Sequence, residues 1–213
     1  MVEIGPRTTK ILAGFALAII FYIVFRAKKI EECMIDMPSS ASAVAVFQGP
    51  AVRGEVVALP ASRGCKLQVK ITGLPAGKHG FHIHTAGDLR GEGCQGACQH
   101  FHKGRAARHG GPPLYGSGLK EGPRHTGDLG NIFLGEGGEP FEHTYILTDV
   151  KPEELWGRTL IVHADPDDLG QGDHEDSGTT GHSGARIGCA IFGRGADCPV
   201  AAAAAKAKTR KRR

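Results

Sequence analysis

Short segments with alternating apolar and polar residues fill the middle of the chain. In residues 41–49, ASAVAVFQG, apolar side chains recur at every second position, the period of a β-strand with one buried face. Clusters of Gly, Pro and Asp separate such segments, and few stretches keep a helical period. The pattern predicts an antiparallel sandwich or Greek-key barrel. The other predicted strands are VRGEVVAL, CKLQVKITGL, HGFHIH, GNIFLGEGG, EHTYILTDV, GRTLIVHAD and ARIGCAIFG.

Two long intervals interrupt the regular spacing of these strands, at residues 86–127 and 164–184. Glycine is abundant in the chain, with 32 residues, and the first interval has little apolar content. Loops of this length in a compact domain are usually functional or held in place by a ligand. We therefore expect a bound ligand to order these loops.

An uncharged apolar stretch near the amino terminus, Ile11–Phe25, stands apart from the strand pattern. As a helix it would span roughly 22 Å, which is short for a hydrocarbon core of about 30 Å, although the flanking Lys10 and Arg26 extend its reach. No small-x-small cleavage site follows, so we favour an uncleaved membrane anchor over a cleaved signal or a soluble buried helix. Positive charge is nearly equal on both sides and does not fix the orientation.

The net charge of +4 comes from the ends of the chain. Residues 41–200 contain 15 Lys and Arg against 18 Asp and Glu, a balance of −3, so the core gives no argument for nucleic-acid binding. The last 13 residues carry six basic and no acidic residues, and they are predicted to be disordered. Such a tail is a solvated end, an attachment to a polyanion or anionic lipid, or a nuclear signal. We divide the chain into an anchor or signal with linker (1–40), a folded domain (41–195) and the basic tail (196–213).

Histidines supply the first chemical signal. His82 and His84 are two residues apart in a predicted strand, so their rings share one face and can converge on one metal ion. Imidazole suits copper and zinc, and a carboxylate also suits zinc. A set of histidines with one Asp, spread over strands and a Gly-rich loop, fits two such ions. The downstream residues in this pattern are His100, His102, His109, His125, Asp128, His163 and Asp167.

The cysteines are less informative. None of the six forms a C-x-x-C pair, which argues against a thiolate zinc knuckle. Their even number is compatible with disulfides but does not prove them. The six are Cys33, Cys65, Cys94, Cys98, Cys189 and Cys198.

In this order, the motifs resemble those of the copper/zinc superoxide dismutases, over residues 41–193. The matching pieces are HGFHIHTAGD, the Gly-Cys pair at 93–94 with His100 six residues after the cysteine, HGGP, RHTGDLGN, GRTLIVHADPDDLG and GARIGCAIFG. The resemblance implies dismutation of superoxide to oxygen and hydrogen peroxide. It also implies an eight-stranded antiparallel Greek-key barrel, an immunoglobulin-like sandwich with long metal-binding and electrostatic loops, here preceded by a hydrophobic N-terminal helix.

The resemblance also assigns roles to individual residues. Copper would be held by His82, His84, His100 and His163. Zinc would be held by His100, His109, His125 and Asp128, with His100 bridging the two ions. Asp167 would join a copper-side and a zinc-side histidine, Arg186 would line the channel above copper, and Cys94 and Cys189 would form a disulfide. His79 would brace a strand, while His102, His143, His174 and His182 would not be ligands.

The chain departs from the family pattern in two ways that bear on function. The segment PLYGSGLKEG lengthens the zinc loop, and the electrostatic loop GQGDHEDSGTTG has no Lys, with Asp165 near the last copper histidine. We therefore expect weak steering of superoxide and a flat salt dependence. A homodimer is only narrowly favoured, because Ala86 and Arg194 replace the expected apolar contacts; Trp156 offers replacement area.

An alternative function is a copper- or zinc-handling protein, a chaperone or store on the same scaffold. Such relatives tend to lack copper ligands or the arginine, or to add a Cys-rich transfer segment, whereas this chain keeps all the ligands and Arg186. A third hypothesis is a protein whose main role is attachment to a surface through its basic tail. A signal anchor would place the domain on an extracellular, luminal or otherwise enclosed side, which suits a disulfide. Secretion and a cytosolic orientation are the alternatives.

Overall fold

The computed structural model describes Tyr22 and residues 41–90, 93–104, 108–112 and 124–196. Apart from Tyr22, the predicted N-terminal helix lies outside these residues, as do Cys33, Cys198 and the basic tail after Ala196. So does the whole segment PLYGSGLKEG that lengthens the zinc loop. No helix in the described part of the chain is long and apolar enough to span a bilayer.

The regular structure of the described residues is almost entirely β. The strands are β1 (Ala43–Gln48), β2 (Arg53–Ala61), β3 (Gly64–Thr72), β4 (Gly77–His84), β5 (Asp128–Leu134), β6 (Phe141–Thr148), β7 (Thr159–His163), β8 (Arg186–Ile191) and β9 (Gly193–Arg194). Two 3-10 turns, Gly93–Ala97 and Pro152–Leu155, and the short helix Ser177–Thr180 lie between them. Each predicted strand segment overlaps one of β1–β8, so the expectation of an all-β fold is confirmed.

The strands form two antiparallel sheets. The five-stranded sheet has the order β6-β3-β2-β1-β9, and the four-stranded sheet has the order β5-β4-β7-β8. Along β2 and β3 the register is continuous from Arg53 opposite Thr72 to Ala61 opposite Gly64. In the four-stranded sheet, β4 lies between β5 and β7, so its side chains are flanked on both sides.

The predicted fold, an eight-stranded Greek-key barrel of the immunoglobulin-like sandwich type, is confirmed as a sandwich but not as a closed barrel, and the described residues form nine strands. Pairing in the described residues ends at β6 and β9 in one sheet and at β5 and β8 in the other. The chain crosses between the sheets at Phe192, because β8 pairs with β7 whereas β9 pairs with β1 through only Val44–Gly193 and Ala43–Arg194. The architecture is a sandwich of two sheets.

The core lies between the two sheets and follows the alternation seen in the sequence. On β3, Cys65, Leu67, Val69 and Ile71 are buried, and the residues between them are more exposed. Phe81 and Ile83 supply the equivalent side chains from β4. Burial of such side chains at about 1.5–3 kcal/mol each is the main force that holds the sheets together.

The outer faces of the two sheets differ. On β6, the alternate residues Thr144 and Ile146 are exposed, as expected for a sheet with one solvated face. On β7 every residue is buried, and β4 is buried from His79 to His84. The loops that follow β4 and β7 therefore cover the outer face of the four-stranded sheet, and the histidines lie beneath them.

Candidate metal centre

The first group of histidines stands on the covered face of the four-stranded sheet. Strand β4 places His82 and His84 on this face, because Phe81 and Ile83 occupy the opposite one. His163 ends the neighbouring strand β7. His100 reaches the same place because the loop pairs with the end of β4 as an isolated bridge, with the Phe101 N–H donating to the Ile83 carbonyl at 2.7 Å. Ligand atoms of these four histidines lie within 4.8 Å of one another.

The second group shares His100 with the first. His100, His109, His125 and Asp128 also bring one ligand atom each within 4.8 Å of one another. Asp128 opens β5 and is fully buried, and it accepts hydrogen bonds from His100 Nδ1 at 2.7 Å and from the backbone N–H of His125 at 2.9 Å. Burial alone would raise the pKa of Asp128, but the ring nitrogens beside it outweigh burial and hold that pKa well below its usual range.

The carboxylate of Asp167 links the two groups by hydrogen bonds to one histidine of each. Its carboxylate accepts hydrogen bonds from His82 Nε2 at 2.9 Å and from His109 Nε2 at 2.7 Å. Asn131 fixes the backbone of Asp167, donating to its carbonyl at 2.8 Å and accepting from its N–H at 2.7 Å. Gly181, at φ 69°, is required beside it, since a Cβ there would collide with the Asp167 carboxylate and the His109 ring.

Five other ring nitrogens in the two groups are buried and make no well-aligned hydrogen bond. Because carbonyl and carboxylate oxygens only accept, His84 and His163 carry the proton on Nδ1, which donates to the carbonyls of Cys98 and Gly184, and His82 carries it on Nε2. Each ring therefore turns a lone pair inward. His82 Nδ1, His84 Nε2 and His163 Nε2 are buried without any hydrogen-bond partner, while His109 Nδ1 and His125 Nδ1 make no well-aligned hydrogen bond but lie 3.1 and 3.2 Å from the Asp128 carboxylate. A buried polar atom without a partner is costly, so this arrangement fits bound metal.

The two groups have opposite electrostatic character. Burial lowers the pKa of His84 to about 2, that of His82 to about 3 and that of His163 to about 4, which keeps these rings neutral and able to ligate. For His109, burial alone would lower the pKa, but Asp128 and Asp167 outweigh it and raise the pKa to about 9. The carboxylates thus hold a positive charge at the second group, either a proton or a metal ion.

Arg186 lies at the edge of the first group. Its guanidinium donates to the Cys98 carbonyl at 2.7 Å and to the Cys94 carbonyl at 2.9 Å. The Cys98 carbonyl also accepts from His84 Nδ1 at 2.9 Å, so one backbone oxygen orients both a histidine and the arginine. A disulfide between Cys94 and Cys189 ties this loop to β8.

The structure brings together the eight histidine and aspartate residues to which the family resemblance gave a role at the metals, with Arg186 beside them. Asn131 and the Cys98 carbonyl were missed; Asn131 lies inside the motif RHTGDLGN, but no pattern signals a backbone carbonyl. His79 contacts the carbonyl oxygens of Pro75 and His163, and His102 lies outside both groups. His143, His174 and His182 are exposed, as expected, but the last two form a pair that the sequence did not predict.

Four nitrogens in the first group suit a copper ion, and three nitrogens with one carboxylate oxygen suit a zinc ion. Because His100 belongs to both groups, and its Nδ1 faces Asp128, its Nε2 is left for the first group. The arrangement can therefore couple two ions through one ring.

Comparisons with known proteins agree with this geometry. A family model described as copper/zinc superoxide dismutase matches residues 52–192. The curated protein "Superoxide dismutase [Cu-Zn]" of Paramecium bursaria Chlorella virus 1 is 39% identical over 181 residues, covering 83% of this chain and 91% of that protein. A solved structure titled "Crystal Structure Analysis of the clock protein EA4" matches with a TM-score of 0.63 and 33% identity, covering 74% of this chain and 96% of the other.

Proposed function

The chain belongs to the copper/zinc superoxide dismutase family, and from this premise we propose how its own residues serve the dismutation of superoxide. The enzyme converts superoxide to oxygen and hydrogen peroxide, with copper and zinc as cofactors. The proposal concerns which side chains hold each ion, which one meets the substrate, and which one holds a proton.

In the proposal, His82, His84, His100 and His163 hold copper, while His100, His109, His125 and Asp128 hold zinc. One observation carries this assignment: the two ligand groups share His100. The inward-facing nitrogens of His82, His84 and His163 support it, because they are buried without a hydrogen-bond partner. Asp167 then acts by position, because its carboxylate fixes the tautomers of His82 and His109 through their Nε2 atoms.

Arg186 is proposed to bind the substrate. Superoxide is a small anion, and a guanidinium is a permanent cation; burial lowers the pKa of Arg186 from its very high ordinary value without removing the charge. The carbonyls of Cys94, Gln95 and Cys98 hold the guanidinium in place from one side. The anion is thereby oriented beside His84 and His163 before any electron moves.

When bound, copper would supply one-electron redox chemistry, and zinc would supply a fixed positive charge that polarises the shared ring. The chain supplies the proton-holding group between them. His100 Nδ1 faces Asp128, so Nε2 is the atom that can hold one of the two protons that hydrogen peroxide requires, and the other comes from solvent. His100 is only 7% exposed, so the covering loops keep its ring nearly free of bulk water.

Copper removal and restoration test this assignment. We expect the purified full chain to contain one copper and one zinc per molecule, to lose superoxide decay when copper alone is removed, and to regain it on copper addition. A copper-handling protein would instead rebind both ions and leave superoxide decay at the rate of buffer. Full metal content without superoxide decay would overturn the proposed roles.

Placement remains a prediction from the sequence. We propose that residues 11–25 anchor the chain in a membrane, with the catalytic domain on an enclosed or extracellular side. We also propose that two domains pair as a homodimer. The basic tail is proposed to attach to a polyanion or anionic lipid. Protease digestion of sealed membranes tests the sidedness, since an enclosed domain survives until detergent is added. Loss of polyanion binding on truncation after Pro199, with dismutation intact, would assign the tail to placement alone.

A further inference from the structure

A second set of metal-binding side chains lies on the loop between β7 and β8. His174, Asp176 and His182 each bring one ligand atom within 4.8 Å of the others, and none of them belongs to the groups described above. The two imidazoles stack in parallel, with centroids 3.5 Å apart and planes 6° apart. Asp176 Oδ1 accepts a hydrogen bond from His182 Nδ1 at 2.8 Å. Two imidazoles and one carboxylate form a ligand set that zinc and copper both accept.

The backbone of this loop holds the cluster together. The Asp176 carbonyl accepts from the Thr180 N–H at 2.8 Å, and the His174 carbonyl accepts from the Ser177 N–H at 3.1 Å. These turns bring together two histidines that are eight residues apart in the sequence. His182 has φ 47°, a left-handed conformation that is uncommon for a residue other than glycine. The pairing therefore depends on a specific loop conformation.

The charge of the loop favours a cation at this place. Residues 171–184 contain Asp173, Glu175 and Asp176 and no Lys or Arg, which gives a formal charge of −3. The loop also borders the catalytic centre, because the Gly181 carbonyl accepts from the Asp168 N–H at 2.9 Å and Gly181 packs against Asp167 and His109. A negative loop in this position weakens the attraction of superoxide to the centre, and a divalent ion would reduce the charge of the loop to −1.

We propose that His174, Asp176 and His182 bind a third divalent transition ion of the zinc or copper class, distinct from the two catalytic ions. Both histidines are exposed, so their rings can rotate out of the stack until their lone pairs meet at one point. Water completes the coordination. The bound ion holds the loop in its observed conformation and reduces the negative charge beside the centre; this effect on the rate rests on the proposed function, whereas the binding does not.

Zinc titration of the protein already loaded with copper and zinc tests the binding. By equilibrium dialysis, the wild-type chain takes up about one further Zn²⁺ per molecule, the stoichiometry expected of a three-residue site. His182→Gln and Asp176→Asn abolish this uptake, and His143→Gln, which removes an exposed histidine on β6, leaves it unchanged. A wild type without the third equivalent, or a His182→Gln variant that retains it, overturns the proposal.

Two further measurements separate this site from the catalytic one. Cu²⁺ added at one equivalent to the loaded protein gives a new electron paramagnetic resonance signal that His174→Gln removes, with the signal of the catalytic copper unchanged. Superoxide decay at low ionic strength rises when the third ion binds in the wild type and does not rise in His174→Gln. If all superoxide decay is absent but the third equivalent binds, only the proposed function fails; if decay is normal and no third ion binds, only this site fails.

Discussion

The outer faces of the two sheets follow different rules. On the five-stranded sheet, exposed and buried side chains alternate along β6 from Thr144 onward, where Ile146 is 56% exposed, and the exposed His143 ring meets the buried Tyr145 ring edge-on with centroids 4.5 Å apart. On the four-stranded sheet, both faces of β7 are buried, and Ile161 is fully enclosed although it points away from the core. The difference shows that the long loops bury the outer face of the four-stranded sheet. Ionisable histidine rings can be kept neutral on this buried face.

The largest effect should come from equivalent changes to a histidine on each face. His84→Ala removes a buried nitrogen that faces the copper-type group, so we expect the rate of superoxide dismutation to fall by at least ~10³-fold. His143→Ala on the solvated face should leave that rate unchanged. Stopped-flow decay of superoxide measures both. Equal losses in the two variants would show that the covered face has no special role.

Acid should weaken the metal-free protein through the same covered face. Burial depresses the folded-state pKa of His82, His84 and His163 to about 3, 2 and 4, so below about pH 6.5 the unfolded chain binds protons that the folded chain does not. Their stabilising contribution is complete above pH 6.5 and falls as pH decreases toward 4, on the order of 4 kcal/mol per pH unit for three groups. His109, with its pKa raised to about 9, acts in the opposite sense: its contribution is complete below about pH 6.5 and is lost progressively as pH rises from there to about 9.

Urea unfolding of the metal-free, disulfide-intact protein at several pH values between 4 and 7 measures this loss. Added zinc and copper should flatten the pH dependence of the free energy of unfolding, because the bound metals occupy the ring nitrogens that protons would otherwise bind. A free energy of unfolding that is equal at both ends of this range would contradict the account of neutral, enclosed rings.

A matched pair of isoleucines compares the packing of the two faces. Ile161→Ala should lower the free energy of unfolding by about 2–5 kcal/mol, because it leaves a cavity beneath the loops. Ile146→Ala should change it by no more than ~0.5 kcal/mol, since that side chain is mostly in water. Urea unfolding of the metal-free variants at neutral pH gives both numbers. A small cost at Ile161 would mean that the loops do not enclose this face.

Removing the carboxylate that links the loops should have a smaller effect. Asp167→Asn disturbs the ring orientation of His82 and His109, and we expect zinc affinity to fall by about 10–100-fold with the fold retained. Asp165→Asn, an exposed neighbour, serves as the control. Competition with a chromophoric chelator measures the affinities. Unchanged zinc binding in Asp167→Asn would remove Asp167 from the proposed centre.

The smallest expected effect concerns salt. The loop over the centre has no Lys, so for the protein loaded with two ions the rate constant should change by less than about twofold between ~0.01 and ~0.15 M ionic strength. Pulse radiolysis measures this rate directly. A steep fall with salt would show long-range attraction from other charges.

The sequence predicted the strands because alternation reports one-sided burial, and β3 and β6 follow it closely. It also predicted the histidine groups, through spacing and the family resemblance. It could not predict that the chain changes sheets at Phe192, because nothing in the sequence shows that the two-residue strand β9 pairs with β1. Nor could it predict the stacked pair of His174 and His182, which depends on the left-handed backbone at His182, or the shared Cys98 carbonyl.

Diffraction from the fully loaded protein at the copper and zinc absorption edges tests the central claim most directly. The account predicts one copper peak among His82, His84 and His163, one zinc peak among His109, His125 and Asp128, and His100 within about 2.0–2.1 Å of both ions. A His100 ring that binds neither ion, or both metals in a single group, would contradict it.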